Sequence, residues 1–86
     1  MEKIEKVRRK LDRIDDHILK LLRQRVNVCK SIGALKRLNG IPVFDASREE
    51  ALRKRIRAES VELGLDSEGV DTIYRDIIAL CTHVQT

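Results

Sequence analysis

Residues 2–38 read EKIEKVRRKLDRIDDHILKLLRQRVNVCKSIGALKRL, and this stretch decides the fold. Its apolar side chains recur at alternating spacings of three and four residues, which is the period of one face of an α-helix. The stretch contains no proline, and its single glycine, Gly33, weakens a helix locally without ending it. We therefore expect one helix from about Glu2 to Leu38. Its apolar face consists of Ile4, Val7, Leu11, Ile14, Ile18, Leu21, Val28, Ile32 and Leu35.

A helix of this length is too long for one small chain to cover. At 1.5 Å per residue it extends roughly 50 Å, whereas a compact domain of this size has a radius of gyration of about 12 Å. The remaining residues cannot bury the apolar face along its whole length. We therefore predict an obligate, intertwined homodimer in which a second chain covers that face.

Turn signals divide the rest of the chain into two shorter helices. Residues 39–42, Asn-Gly-Ile-Pro, end the first helix, because glycine accepts left-handed geometry and proline cannot continue a helix. The second helix is expected to begin near Ser47, with Ser47 and Glu50 as a capping box, and to end at residues 63–64. The third is expected to run from residue 66 or 67 to the C-terminus. Their apolar positions are Leu52, Ile56 and Leu63 in the second helix and Val70, Ile73, Ile77, Cys81 and Val84 in the third.

The composition indicates a single all-α domain over residues 1–86. Hydrophobic residues make up 42% of the chain and charged residues 37%, with one Tyr and one Phe, a balance typical of helical bundles. The net charge of +4 is spread along the chain, which suits a small anionic ligand at least as well as nucleic acid. No helix carries a dense basic face and the two aromatic residues provide no stacking platform, so we expect no nucleic-acid partner.

Targeting, membrane and metal-binding signals are missing from the sequence. No apolar run approaches the roughly 20 residues that cross a bilayer, and the charged start lacks the apolar stretch of a secretion signal. We therefore expect a cytoplasmic protein with no membrane partner. Cys29 and Cys81 lack the short paired spacing of a zinc site or redox motif, so we expect reduced thiols and no metal.

Arg25 lies on the apolar face, at a position where the pattern calls for a leucine. Burying an unpaired guanidinium is costly, so this position indicates an anion within reach. Lys36 follows eleven residues later, about three turns along the same face, and both cations can face one pocket. Arg8 lies roughly 25 Å before Arg25 and can reach the same ligand only from the other subunit of an antiparallel dimer. The alternative is that all three are solvated charges whose stems pack along the edge of the seam.

A motif with a fixed order of charged residues runs from Lys36 through Pro42-Val43 and Asp45 to Arg48-Glu49. Arg8, Lys10, Asp15 and Arg25 precede it on the first helix. This ordered set resembles the all-helical chorismate mutase family, and the resemblance extends from Val7 to Gln85. It implies two intertwined chains of three helices each, which rearrange chorismate to prephenate for phenylalanine and tyrosine biosynthesis without a cofactor. Because the chain ends right after the third helix, we expect a protein that is free-standing or a partner in a non-covalent complex.

The resemblance implies a role for the cations and for the last helix. Arg25 and Lys36 correspond to the cations that meet the substrate carboxylates, and Arg8 to the arginine that the other subunit donates. Gln85 corresponds to the residue that, with Lys36, hydrogen-bonds the ether oxygen. These four residues are the expected catalytic set.

The resemblance also assigns the other end of the site. Asp45 and Glu49 correspond to the acidic pair that holds the ring hydroxyl, and Arg48 to a cation that orders this region. The alternative for these three is ordinary chemistry at a helix N-terminus, where carboxylates complement the helix dipole. Cys81 departs from the family pattern, in which a serine commonly binds a carboxylate, and a thiol is a weaker donor.

Two rival functions remain open. One is an isochorismate pyruvate lyase on the same scaffold, which shares the cationic clamp. Asp45 and Glu49 favour the mutase, because they match its hydroxyl-binding pattern. The other rival is a non-catalytic helical module that dimerises or binds a metabolite, and only the completeness of the expected site argues against it.

Overall fold

The computed structural model describes residues 2–86, which form three α-helices joined by two short connections. Helix α1 spans Glu2–Leu38, α2 spans Ala46–Glu62 and α3 spans Ser67–Gln85. No strand occurs within the described range. The all-α prediction is therefore confirmed, and so is the prediction of one very long first helix.

In both helix–helix connections the second residue is a glycine in the left-handed region. Gly40 has a φ of 63° and Gly64 a φ of 72°. After Gly40, the amide of Ile41 donates to the carbonyl of Lys36 at 2.8 Å, and after Gly64 the amide of Leu65 donates to the carbonyl of Ser60 at 2.8 Å. These bonds satisfy carbonyls that each helix end leaves without a partner. The predicted ends of the first two helices are confirmed.

The start of α2 differs from the prediction. The N-cap is Asp45, whose Oδ1 accepts a hydrogen bond from the amide of Arg48 at 3.0 Å. Ser47 already lies inside the helix, so the capping box of Ser47 and Glu50 was wrong. An aspartate caps a helix as well as a serine does, and its charge also complements the helix dipole. At the start of α3, Asp66 caps the helix by accepting from the amide of Gly69 at 3.0 Å.

Helix α3 packs against both α1 and α2 and forms the centre of the chain. The buried apolar side chains are few: Cys29 of α1, Leu52 and Ile56 of α2, and Cys81 of α3. Leu63, which we expected to face this core, is 74% exposed, because α2 ends before it and the chain turns at Gly64.

A buried carboxylate joins α2 to α3. Asp71 is 2% exposed, and Arg53 binds it with two hydrogen bonds of 2.9 and 2.8 Å. Arg57 also donates to Oδ2 at 3.1 Å, and Arg75 forms a salt bridge with the same oxygen at 3.2 Å. The adjacent Arg53 guanidinium, with help from Arg57, holds the pKa of this carboxyl well below its usual range. No pattern in the sequence indicated this cluster.

The apolar face of α1 is left exposed by the rest of residues 2–86. Its nine positions listed above are between 39% and 61% exposed. The described chain measures 57 × 24 × 15 Å with a radius of gyration of 16.3 Å, against about 12 Å for a compact domain of this length. None of the helices in residues 2–86 has the length and apolar character that a bilayer crossing requires.

Candidate active site

A partly open cavity of about 230 Å³ lies where α1, α3 and the connection into α2 meet. It brings together seven of the eight predicted site residues. These are Arg25 and Lys36 from α1, Asp45, Arg48 and Glu49 from the start of α2, and Cys81 and Gln85 from α3. Residues far apart in sequence therefore share one small space.

Arg25 lines the cavity from α1 with a half-buried side chain. Its Nη1 lies 2.7 Å from Sγ of Cys81 and 3.8 Å from Sγ of Cys29. Thiols are weak acceptors, and within residues 2–86 no carboxylate forms a salt bridge with this guanidinium. The cavity therefore contains a guanidinium group that can bind an anionic ligand.

Lys36 lies at the other end of the cavity, near the end of α1. Its Nζ donates to the carbonyl of Val43 at 2.8 Å and to Oε1 of Gln85 at 3.2 Å. The turn at Gly40 returns the chain alongside the last turn of α1, which brings the Val43 carbonyl within reach. An ammonium group has three donors, so one N–H of Lys36 stays available to a ligand.

Gln85 lies in the last turn of α3 and is 8% exposed. Its Nε2 donates to the carbonyl of Cys81 at 3.2 Å, while Oε1 accepts from Lys36. Its main-chain carbonyl accepts from Nη1 of Arg37 at 2.9 Å. Because an amide nitrogen carries two N–H groups, one of them is free to meet a bound ligand.

The acidic end of the cavity is built by the first turn of α2. Asp45 serves as the N-cap, and its position just outside the helix places it at the cavity wall. Glu49 is half-buried, whereas Arg48 is exposed at the rim. One short helical turn therefore supplies two carboxylates and one cation to the same wall.

Cys29 also lines the cavity, and the sequence analysis gave it no role in the site. It is four residues after Arg25 and seven before Lys36, so helical spacing alone places it on their face. Burial raises the pKa of its thiol, and contact with Cys81 raises it further. Both cysteines are free thiols, as expected.

Arg8 lies outside the cavity. Its side chain is exposed, and its Nη1 pairs with Oε1 of Glu5 one turn earlier at 2.9 Å. This placement agrees with the helix geometry, by which Arg8 cannot reach Arg25's ligand within one chain. Any role of Arg8 in this site requires a second copy.

The model of the family described as chorismate mutase type II matches residues 7–86. The chain belongs to this chorismate mutase family. The resemblance noted from the ordered charged residues is thereby confirmed.

Individual relatives agree with this membership. The chain is 38% identical over 78 residues to a chorismate mutase of Methanocaldococcus jannaschii. The aligned region covers 91% of this chain and 79% of that protein. It is 34% identical over 88 residues to the bifunctional chorismate mutase/prephenate dehydratase of Aquifex aeolicus. The aligned region covers 99% of this chorismate mutase domain but only 24% of the length of the Aquifex protein.

A solved structure shares the fold. A conserved hypothetical protein from Pyrococcus furiosus superposes with a TM-score of 0.78, over 100% of this chain and 99% of that chain, at 24% identity. The three-helix arrangement of this chorismate mutase domain therefore recurs in a solved structure.

Proposed function

We propose that this chorismate mutase domain rearranges chorismate to prephenate in the cavity between α1, α3 and the start of α2. The observation that carries the proposal is the placement of Arg25 and Lys36. Both cations line one small cavity, neither has a carboxylate partner within residues 2–86, and the amide of Gln85 lies beside them. That arrangement suits a small dianion with an oxygen atom that becomes more negative during reaction.

The reaction breaks an ether carbon–oxygen bond while a carbon–carbon bond forms in the same molecule. The product is an isomer, so no atom is added or lost and no group is transferred to the protein. The residues can therefore act by orientation and by electrostatics alone. Holding the flexible side chain of the substrate over its ring is worth roughly 7–11 kcal/mol in favourable cases.

Arg25 is our candidate for holding a substrate carboxylate, because a guanidinium binds a carboxylate through two parallel hydrogen bonds. Cys81 lies 2.7 Å from Arg25 Nη1 and would border the same carboxylate. Arg48 at the rim supplies a further cation. Asp45 and Glu49 are candidates for accepting the hydrogen of the ring hydroxyl, since carboxylates are strong acceptors.

Lys36 and Gln85 are our candidates for the ether oxygen. Each keeps an N–H that no other group within residues 2–86 accepts, and their mutual hydrogen bond fixes both groups before a substrate arrives. Donors placed in advance where negative charge develops stabilise a transition state without reorganisation. This pair is the proposed source of the electrostatic part of the acceleration.

We further propose that the active form is a homodimer in which Arg8 of the second subunit completes the cavity. The exposed apolar face of α1 supports this, because an exposed face of that extent is unfavourable in water. The position of Arg8 outside its own chain's cavity also supports it. A cytoplasmic role in phenylalanine and tyrosine biosynthesis is part of the proposal, and membership of the family supports it.

The test is to add the purified protein to chorismate and identify the product by NMR. We expect enzyme-dependent loss of chorismate and stoichiometric prephenate. The Arg25→Ala variant should lose most of this activity, whereas Arg23→Ala, which changes an exposed arginine of the same helix, should keep it. Failure of the folded protein to convert chorismate, or release of pyruvate from isochorismate instead, would overturn the proposal.

A further inference from the structure

The last turn of α3 is held against α1 by contacts that the proposed mechanism does not use. Helix α3 ends at Gln85, so its final carbonyls have no donor within the helix. The carbonyl of Gln85 accepts instead from Nη1 of Arg37 at 2.9 Å. Arg37 follows Lys36 directly, so neighbouring residues of α1 bind the side chain and the main chain of the same glutamine.

Gly33 forms the surface on which Gln85 rests. A Cβ atom at Gly33 would lie 2.9 Å from Cα of Gln85 and 3.0 Å from its Cβ and Cγ. Gly33 is buried within α1 and is not among the glycines with a positive φ. Space, and not backbone conformation, is therefore the reason that glycine fits here, although glycine is unfavourable inside a helix. The close approach lets Gln85 reach Lys36.

Arg37 itself does not line the cavity, and it is exposed. It cannot touch a ligand bound between Arg25 and Lys36. Any effect on the reaction must pass through Gln85. The short distance to the carbonyl and the tight seat on Gly33 together restrict where the amide of Gln85 can lie.

We propose that Arg37 is a positioning residue that fixes the main chain of Gln85 on Gly33, so that the Gln85 amide faces the reacting ether oxygen. This inference rests on the proposed function, because it assigns a purpose to the orientation of Gln85. A purely structural role for Arg37 predicts something different. It would alter stability or overall activity whether or not residue 85 carries an amide.

A double-mutant cycle separates these two roles. We expect Arg37→Ala to lower kcat about tenfold, since small misplacements of a catalytic group are costly, and to change KM by less than about threefold. In a Gln85→Ala background, which removes the amide but keeps the carbonyl, Arg37→Ala should change kcat by less than about twofold. Equal losses in both backgrounds, or no loss in the original background, would overturn the proposal.

A second variant tests the same contact from the side of Gly33, and an NMR measurement tests it without relying on turnover. Gly33→Ala should lower kcat in the same selective way, since the added methyl group must displace Gln85. The ¹H–¹⁵N heteronuclear NOE of the Gln85 backbone amide, measured without substrate, should fall in Arg37→Ala while the rest of α3 is unchanged. An unchanged NOE would refute positioning. A reduced NOE in a protein that does not convert chorismate would uphold positioning and refute the proposed function alone.

Discussion

Nζ of Lys36 donates a hydrogen bond to Oε1 of Gln85 at 3.2 Å, although the two residues are separated by 49 positions in the chain. The contact joins the last turn of α1 to the last turn of α3 at one end of the cavity. It places an ammonium group and a carboxamide side by side, each with a donor left for a ligand.

Replacing Lys36 by alanine should reduce kcat by about 10² to 10³. The lost group is a donor placed in advance at the oxygen that becomes negative, so the chemical step should lose more than binding does. Steady-state kinetics with chorismate measures this, and circular dichroism checks that the helices persist. Lys30→Ala, a change at an exposed lysine of the same helix, is the matched control. Normal turnover of Lys36→Ala would contradict the role of this lysine.

The pH dependence should change when Gln85 is replaced by glutamate. Glutamine donates at any pH, so the unaltered protein should not require acid for this hydrogen bond. A glutamate, with an ordinary pKa of about 4.3, is an ionised acceptor at neutral pH. Its activity should therefore rise about tenfold per unit as the pH falls, because only the protonated fraction donates. Gln85→Ala should show no such rise, and a pH-independent Gln85→Glu variant would argue against contact with the ether oxygen.

Cys81 should respond favourably to replacement by serine. Its Sγ lies 2.7 Å from Nη1 of Arg25, at the point where we expect a substrate carboxylate. A hydroxyl is a stronger donor than a thiol, and hydrogen bonds to charged groups are among the stronger ones. Cys81→Ser should lower KM about three- to tenfold, with a smaller effect on kcat. Cys81→Ala, which has no donor, should give no improvement. Equal KM values for all three proteins would show that residue 81 does not contact the substrate.

Much of the architecture could be predicted because it depends on local patterns. The period of three and four residues identified α1, and the same period placed Arg25 and Lys36 on one face. Glycine marked the ends of α1 and α2. The N-cap of α2 was assigned wrongly, because Asp45 and Ser47 are equally good capping residues and only the path of the preceding loop selects between them.

These local patterns could not predict the contacts between segments that are far apart in the sequence. Asp71 lies on α3 one turn before Arg75, and nothing in its surroundings in the sequence indicates that Arg53 of α2 lies opposite. The seat of Gln85 on Gly33 likewise depends on how α3 crosses α1. Cys29, by contrast, was within reach, since it is one helical turn from Arg25.

Asp71 should be a strong determinant of stability at neutral pH. Asp71→Asn leaves Arg53 without its charged partner and leaves Arg57 with Glu68 alone, so we expect Tm to fall by more than about 5 °C. Because the folded-state pKa is lowered, the stabilisation is fully present above the unfolded pKa of about 3.9 and is lost as the pH falls through the folded value. Thermal unfolding should therefore show a constant difference in Tm between the two proteins from pH 8 to 5, and this difference should narrow below about pH 4.

Asp76→Asn, at an exposed position of α3, should leave Tm nearly unchanged, and an equal effect of both substitutions would refute the role of the buried cluster.

Mixing two inactive variants should restore activity if Arg8 completes the cavity of the second subunit. Arg8 is exposed and pairs with Glu5 in its own chain, whereas Arg25 lines the cavity. In a shared site, Arg25→Ala removes the arginine that the subunit supplies to its own cavity. Arg8→Ala removes the arginine that it supplies to the cavity of its partner. A heterodimer of the two contains one site with both arginines intact and one with neither. After subunit exchange at random, half of the dimers are heterodimers, and about a quarter of all sites should be active. Native mass spectrometry verifies the exchange, and a mixture of Arg25→Ala with Arg25→Lys serves as the control that cannot rebuild an intact site. Proven heterodimers with no more activity than the separate variants would show that each chain forms its site without Arg8 of the other.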